Sequence, residues 1–219
     1  MNFNYQKARY LMVENQLRPN KIKDPIILNL FKQVPKESFL PETIKGSPYS
    51  DLDINLKPNR GYLKNLHIAQ LLNHSKINNN HKVLHLGALT GYVSFLLANL
   101  SSEVIAVETD EELREILQKN INKFDIKNIK VVKGSFKEGF KSESPFDVIF
   151  IDTPINKLDN IIIDQLSNDL GKIIMIKKDK NYLSQALRIT KNKDNFNQEY
   201  LFDIFSKYEL YKDSEGFIF

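Results

Sequence analysis

A glycine-bearing turn and a glutamate farther along the chain are the residues whose types and spacing best support chemistry. The turn runs from Gly87 to Gly91 after a short apolar segment, and Glu108 lies 21 residues beyond Gly87 at the end of the next apolar segment. Gly87 lets a ligand approach the backbone, and an acidic residue at this spacing accepts hydrogen bonds from the ribose hydroxyls of a nucleoside cofactor. Gly91 would let the following helix pack closely on the strand. The pattern predicts a nucleoside site, against the alternative of an ordinary turn and a surface glutamate.

Other polar residues make weaker candidates. Asp51 and Asp53 are either paired carboxylates of a substrate loop or caps of a turn. Arg60 either attracts a substrate carboxylate or is simply exposed. The histidines show no metal-ligand spacing with nearby carboxylates, so we predict no metal site; they are His67, His74, His81 and His85.

The elements that position the glycine turn alternate between strand and helix from residue 81 onward. Nearly continuous runs of Val, Ile and Leu predict strands buried on both faces, and a capping box at Thr109 and Glu112 predicts the start of a helix to residue 123. The predicted strands are 82–86, 103–107, 129–132, 147–151 and 172–176, and the predicted helices between them are 92–100, 109–123 and 158–166. This alternation indicates an α/β fold with a doubly wound, mostly parallel sheet.

The remaining regions flank this core. Residues 1–75 are predicted to form helices and loops, with helices over 5–17, from the Asp24-Pro25 start to residue 33, and over 66–72. Residues 184–219 carry β-like stretches and predict antiparallel edge strands. We predict one domain over residues 1–219, with the binding core at 81–180.

Composition narrows the class of protein. There is no cysteine, which excludes disulfides, thiolate metal sites and a cysteine nucleophile. The net charge is +4, but 26 of the 31 basic residues are scattered lysines, so we predict no nucleic-acid partner. The apolar runs are too short to span a membrane and the first 16 residues carry no signal-peptide core, so we expect a soluble cytoplasmic protein.

Three segments resemble the protein-L-isoaspartate O-methyltransferase family, in order and in spacing. They are Met12-Val13-Glu14-Asn15-Gln16-Leu17-Arg18-Pro19, Val34-Pro35-Lys36-Glu37-Ser38-Phe39-Leu40-Pro41 and Tyr49-Ser50-Asp51. The likeness extends from Tyr10 to about Ile176 and includes Gly134, Pro145-Phe146-Asp147 and Gln165-Leu166.

The resemblance implies an S-adenosylmethionine-dependent methyltransferase that methylates isoaspartyl carboxylates in damaged proteins. Such a carboxylate is already nucleophilic, so the reaction depends mostly on positioning. The implied catalytic positions are Arg60, Asp152 near the methyl acceptor, and Leu63, where the family has a serine. The implied cofactor-binding positions are His85, Gly87, Ala88, Leu89, Gly91, Tyr92, Glu108, Thr109, Ser135 and Phe136.

The departures from the family pattern fall at the site. His85 replaces the acidic residue that anchors the cofactor's amino group, and Leu89 replaces a glycine and would fill space that the cofactor needs. Ser135 replaces an aspartate, and no Ser or Thr lies between Asp51 and Leu66. These changes count against cofactor binding. They leave open an active isoaspartyl methyltransferase, a methyltransferase with another acceptor, and an interaction protein that has lost the cofactor.

Overall fold

A seven-stranded mixed sheet forms the centre of the molecule. The computed structural model describes residues 4–179, 183–193 and 195–211. The strands are β1 (Ile54–Lys57), β2 (Arg60–Tyr62), β3 (Lys82–Leu86), β4 (Glu103–Val107), β5 (Ile129–Val132), β6 (Val148–Ile155), β7 (Asp169–Lys178), β8 (Leu183–Asn192) and β9 (Asn195–Phe205). The large sheet has the order β5-β4-β3-β6-β7-β8-β9. Strands β3 to β7 pair in parallel, while β8 and β9 are antiparallel. The predicted fold class is confirmed, with β3 inside the sheet.

Six α-helices accompany the strands in the described part of the chain. They are α1 (Tyr5–Met12), which continues as a π-helical turn (Val13–Leu17), α2 (Pro25–Gln33), α3 (Asn65–Ser75), α4 (Tyr92–Ala98), α5 (Glu111–Lys123) and α6 (Asn160–Ile163). Asp24 caps α2 by accepting from the backbone N–H groups of Ile26 and Ile27. The helix predicted over 158–166 shortens to the four residues of α6.

The cap predicted for α5 is wrong by one residue. Asp110, not Thr109, is the N-cap, and its carboxylate accepts from the backbone N–H of Leu113. The same carboxylate binds Lys57 Nζ at 2.7 Å. A charged acceptor that satisfies both a helix N–H and a lysine is favoured at this position over a threonine hydroxyl.

The two faces of the sheet are covered differently. Helices α1 to α5 share one buried cluster with side chains of β3, β4, β6 and β7. The opposite face buries Leu84, Leu86, Ile149 and Ile151 mainly under α6 and irregular segments, with Leu210 from the tail. The helical layer expected on this face of a doubly wound sheet is therefore reduced to α6. Irregular segments and the tail cover the rest of the face.

Residues 1–75 are not only helices and loops. Strands β1 and β2 form an antiparallel hairpin between Ile54 and Tyr62. Strands β8 and β9 confirm the predicted antiparallel edge, while the rest of that prediction, residues 212–219, lies outside the described residues. Among the described residues, no helix is both long and apolar enough to cross a membrane. The single domain over 1–219 stays a prediction.

Candidate functional site

The site lies at the carboxyl ends of β3, β4 and β6, where the order of the strands reverses. Gly87 follows β3, Glu108 follows β4, and Asp152 lies in β6 directly after Ile151, where the regular pairing with β7 is interrupted. The backbone N–H groups of Gly87 and Ala88 donate to Val107 O at 3.0 and 3.1 Å, which fixes the turn against β4. This edge is where open α/β sheets bind ligands.

Glu108 is completely buried, and its carboxylate is already engaged. Oε2 accepts from Arg60 Nη2 and from the backbone N–H of Leu89, both at 2.8 Å. Oε1 accepts from the backbone N–H of Asp110 at 3.0 Å. A carboxylate offers about four lone-pair positions, so three of those on Glu108 are occupied. The carboxylate faces the turn, as a ribose acceptor would. Its hydrogen bonds, however, are made by donors of this protein and not by a ligand.

Arg60 comes from β2 and reaches across to Glu108. Its side chain is 13% exposed, which corrects the alternative of an exposed loop arginine. The guanidinium lies 5.1 Å from the ring centroid of Phe136, so the cation stacks on an aromatic face while it pairs with the carboxylate. Its Nε is buried and has no hydrogen-bond partner among the described residues.

Gly87 is approached by the chain's own tail. Its φ of +89° is one that glycine adopts readily. A Cβ at this position would lie 2.5 Å from Leu210 Cδ1, and 3.8 Å from both Arg60 Nη2 and Thr153 Oγ1. Leu210 is therefore the group that approaches closely where Gly87 has no side chain.

Leu89 does not block the cleft in the way its size suggests. Its φ is +53°, so it adopts the left-handed backbone that the family's glycine would favour. The side chain is 1% exposed and belongs to the buried cluster on the helical side of the sheet, whereas Leu210 belongs to the opposite cluster. Arg60 and Leu210, rather than Leu89, fill the space beside Gly87.

His85 is part of a buried polar chain. Its Nδ1 lies 2.8 Å from Ser94 Oγ on α4, and its Nε2 lies 3.2 Å from Asp152 Oδ1. His85 and Ser94 are 0% exposed and Asp152 is 5% exposed. Because Ser94 is buried, its hydroxyl cannot act as a nucleophile on a substrate. The hydrogen bonds among Ser94, His85 and Asp152 instead fix the orientation of these side chains. Asp152 is consequently held by His85.

Leu63, at the position of the family's serine, is buried at 1% exposure and offers only its carbonyl. Lys36 Nζ donates to that carbonyl at 3.4 Å and to Asn65 Oδ1 at 3.0 Å. Burial lowers the pKa of Lys36 to about 7, with Asp53 acting in the opposite direction. Two tyrosine rings, Tyr62 and Tyr92, lie within 5.6 Å of the ammonium.

The other candidates have structural partners. Gly91 permits the approach of Leu117 from α5, since a Cβ there would lie 2.5 Å from Leu117 Cδ1; this is helix packing rather than the strand packing we predicted. The backbone N–H of Tyr92 donates to the Tyr62 hydroxyl at 3.0 Å. Thr109 is exposed. Ser135 Oγ accepts from the backbone N–H of Lys137.

The substrate-loop carboxylates act locally. Asp53 accepts from the backbone N–H of Lys64 at 2.8 Å, and Asp51 pairs with Lys64 Nζ at 3.3 Å. Burial raises the pKa of Asp53. Both carboxylates bind Lys64, the residue that precedes α3, but neither caps the helix, since α3 has no side-chain cap. No group of three potential metal ligands occurs among the described residues.

The chain matches the family model for protein-L-isoaspartate(D-aspartate) O-methyltransferase over residues 7–205. It belongs to this family. Relatives from Methanoculleus marisnigri and Geotalea uraniireducens, both named protein-L-isoaspartate O-methyltransferases, are 27% and 28% identical over 77% and 87% of this chain. Those matches span 76% and 87% of the relatives.

Solved structures of the same name share the fold. A Plasmodium falciparum protein-L-isoaspartate O-methyltransferase, solved with S-adenosyl-L-homocysteine, superposes with a TM-score of 0.77 at 21% identity, covering 97% of this chain and 100% of that one. A second structure of this family name gives 0.76 at 20% identity and covers 91% and 64%. The family's fold is therefore retained across nearly the whole chain.

In the arrangement described, the chain's own groups occupy the positions that the family's cofactor would use. A nucleoside would need the space held by Arg60 and Leu210, and its ribose would need oxygens that already accept from Arg60 and Leu89. His85 offers no carboxylate for an ammonium. The features that match the family pattern are the Gly87 turn and Glu108.

Sequence reasoning missed the residues that close the site. Leu210 lies 123 positions after Gly87 in a tail without a recognisable motif. Ser94 is a polar residue within the apolar segment of α4, and this is the available signal for it, because a buried polar group requires a partner. Lys36 is followed by the polar residues Glu37 and Ser38, so its burial has no such signal. Nothing in the sequence identifies Leu210.

Proposed function

We propose that this protein is an S-adenosylmethionine-dependent methyltransferase that esterifies isoaspartyl carboxylates in proteins. The family membership supports the activity, and the single structural observation that carries it is the buried Glu108 beside the Gly87 turn at the strand-reversal edge. A carboxylate kept at this position is what a ribose requires. When bound, the cofactor would supply an electrophilic methyl group on a sulfonium.

A second candidate has an observation of its own. The Arg60–Glu108 pair and Leu210 occupy the cleft, and His85 is engaged by Asp152. A scaffold that has lost the cofactor and binds other proteins would keep the fold and fill the cleft in this way. A methyltransferase with a different acceptor is favoured by Leu63, because its buried side chain replaces the family's hydroxyl.

The three functions are separated by one pair of measurements on the full-length protein. Calorimetric titration with S-adenosylmethionine and S-adenosylhomocysteine measures cofactor binding. Transfer of a radiolabelled methyl group to an isoaspartyl peptide, with the same peptide carrying normal aspartate as the control, measures the reaction. Transfer to the isoaspartyl peptide alone supports the proposal. Binding without transfer favours another acceptor, and absence of both at millimolar cofactor favours the scaffold, since that means a free energy weaker than about −4 kcal/mol.

A further inference from the structure

We propose that Arg60 and Leu210 form an internal plug of the nucleoside cleft, and that the two leave together before a nucleoside cofactor binds. That the ligand is a nucleoside cofactor rests on the proposed function. Its basis is that this chain's own side chains occupy the space beside Gly87 and the carboxylate of Glu108.

Arg60 satisfies the cleft in the way a nucleoside would. Its Nη2 donates to Glu108 Oε2 at 2.8 Å, where a ribose hydroxyl would donate, and its planar guanidinium lies over the ring of Phe136. Arg60 and a ribose therefore compete for the same carboxylate oxygen. A nucleoside gains that hydrogen bond only when Arg60 gives it up.

Arg60 and Leu210 belong to one connected unit, which we call the cap: the hairpin of residues 54–62 and the tail segment of residues 208–210. The backbone N–H of Glu209 donates to Asn59 O at 3.1 Å, and the Tyr208 hydroxyl donates to Asn55 Oδ1 at 2.9 Å. A Cβ at Gly61 would lie 2.7 Å from the Tyr208 ring, so the hairpin and tail are in close contact. Movement of one part of the cap disturbs the other.

The cap is held in place by some contacts that solvent can replace and by others that are buried: the hydroxyl of Tyr62, at the end of the hairpin, accepts from the backbone N–H of Tyr92 at 3.0 Å. Lys57 pairs with Asp110 and Glu112, but these three side chains are 28%, 30% and 71% exposed, so solvent can replace the pairs. The Nε–H of Arg60 is buried without a partner among the described residues, and release of Arg60 into water would satisfy it. The backbone N–H of Leu210 donates to Pro154 O at 2.9 Å, which ties the tail to β6.

Titration with S-adenosylhomocysteine tests the plug directly. We expect Arg60→Ala to bind at least tenfold more tightly than the wild type, and Leu210→Ala to shift affinity in the same direction. Arg114→Ala is the matched control, because Arg114 is also an arginine of low exposure, 17%, paired with a carboxylate, but it lies on α5 and pairs with Glu111. Equal affinity of Arg60→Ala and the wild type, whether both bind or neither does, would overturn the proposal.

A second measurement needs no cofactor. The chain has no cysteine, so Leu210→Cys gives a single thiol whose alkylation rate reports opening of the cap. Leu210 is 4% exposed and Leu11, on α1, is 43% exposed, so Leu210→Cys should react far more slowly than Leu11→Cys. Adding Arg60→Ala should accelerate Leu210→Cys at least fivefold and leave Leu11→Cys unchanged. Unchanged alkylation of Leu210→Cys contradicts a joint plug.

The plug and the proposed function fail in different ways. If Arg60→Ala gains cofactor affinity but neither form methylates an isoaspartyl peptide, the plug stands and the proposed function fails. If the wild type binds and methylates with the same affinity and rate as Arg60→Ala, the proposed function stands and the plug fails.

Discussion

Replacing Glu108 by alanine should strongly destabilise the protein even in the absence of any ligand. The substitution removes a fully buried carboxylate and leaves Arg60, at 13% exposure, without its ion-pair partner. It also frees the backbone N–H groups of Leu89 and Asp110, which donate to Glu108 at 2.8 and 3.0 Å. Breaking a buried pair by deleting one partner costs about 3–5 kcal/mol. We expect about 3 kcal/mol, since partial exposure lets water reach Arg60.

The pair can be isolated by a double-mutant cycle. Arg60→Ala alone should destabilise by about 2–3 kcal/mol, less than Glu108→Ala, because two backbone donors still stabilise the carboxylate. The double variant should lose less free energy of unfolding than the sum of the two single variants, by at least about 1 kcal/mol. Urea unfolding followed by circular dichroism measures each free energy of unfolding. The control pair Arg114–Glu111, with its glutamate 72% exposed, should show coupling of only about 0–1 kcal/mol.

The contrary result is specific. If Glu108 were an unoccupied ribose acceptor, its removal would relieve an unpaired buried charge and leave stability unchanged or improved. A loss below about 1 kcal/mol for Glu108→Ala, or additive losses in the cycle, would refute the assignment of Glu108 to Arg60.

Three further predictions concern other parts of the site. Because burial lowers the pKa of Lys36 from 10.5 to about 7 in the folded state, the unfolded chain binds more protons between these values. Stability should therefore rise by about 3 kcal/mol from pH 7 to pH 9.5, and Lys36→Met should flatten that rise in urea unfolding. His85→Glu should destabilise by about 3 kcal/mol in thermal unfolding, because it sets a second buried carboxylate beside Asp152, whereas His85→Gln should cost less. Asp110→Ala should cost about 1 kcal/mol in urea unfolding by removing the cap of α5, and a larger helical loss for Thr109→Ala would contradict the capping assignment.

The sheet could be predicted because its signal is local. The run from Val83 to Leu86 is buried at every position, and a strand buried on both faces is nearly all apolar; His85 is the exception here. The same reasoning missed β1 and β2: β1 alternates apolar and polar residues over only four positions, and β2 has only three residues, so neither is long enough to give a clear strand signal. Thr109 and Asp110 are both good caps, and only the contact with Lys57 distinguishes them.

The sequence predicted where the site lies, but not that the protein's own side chains occupy it. Glu108 and Gly87 were identified from their spacing, which follows from the geometry of a strand, a turn and a helix. That Arg60 reaches Glu108 and Leu210 reaches Gly87 depends on contacts between residues 48 and 123 positions apart. Such contacts are decided by how whole elements pack, and no residue near Arg60 or Leu210 encodes them.

The contact between Leu210 and Gly87 has a consequence for the order of events during synthesis. The five parallel strands that frame the cleft are complete by Lys178, whereas Tyr208–Leu210 follow about thirty residues later. Synthesis proceeds at about 5–20 residues per second, so the ribosome makes this tail segment about 1.5–6 seconds after the last of the parallel strands. Because a domain generally folds as a unit, the contact between Leu210 and Gly87 can form only after that delay. Closure of the cleft is therefore among the last long-range contacts that the new chain can make.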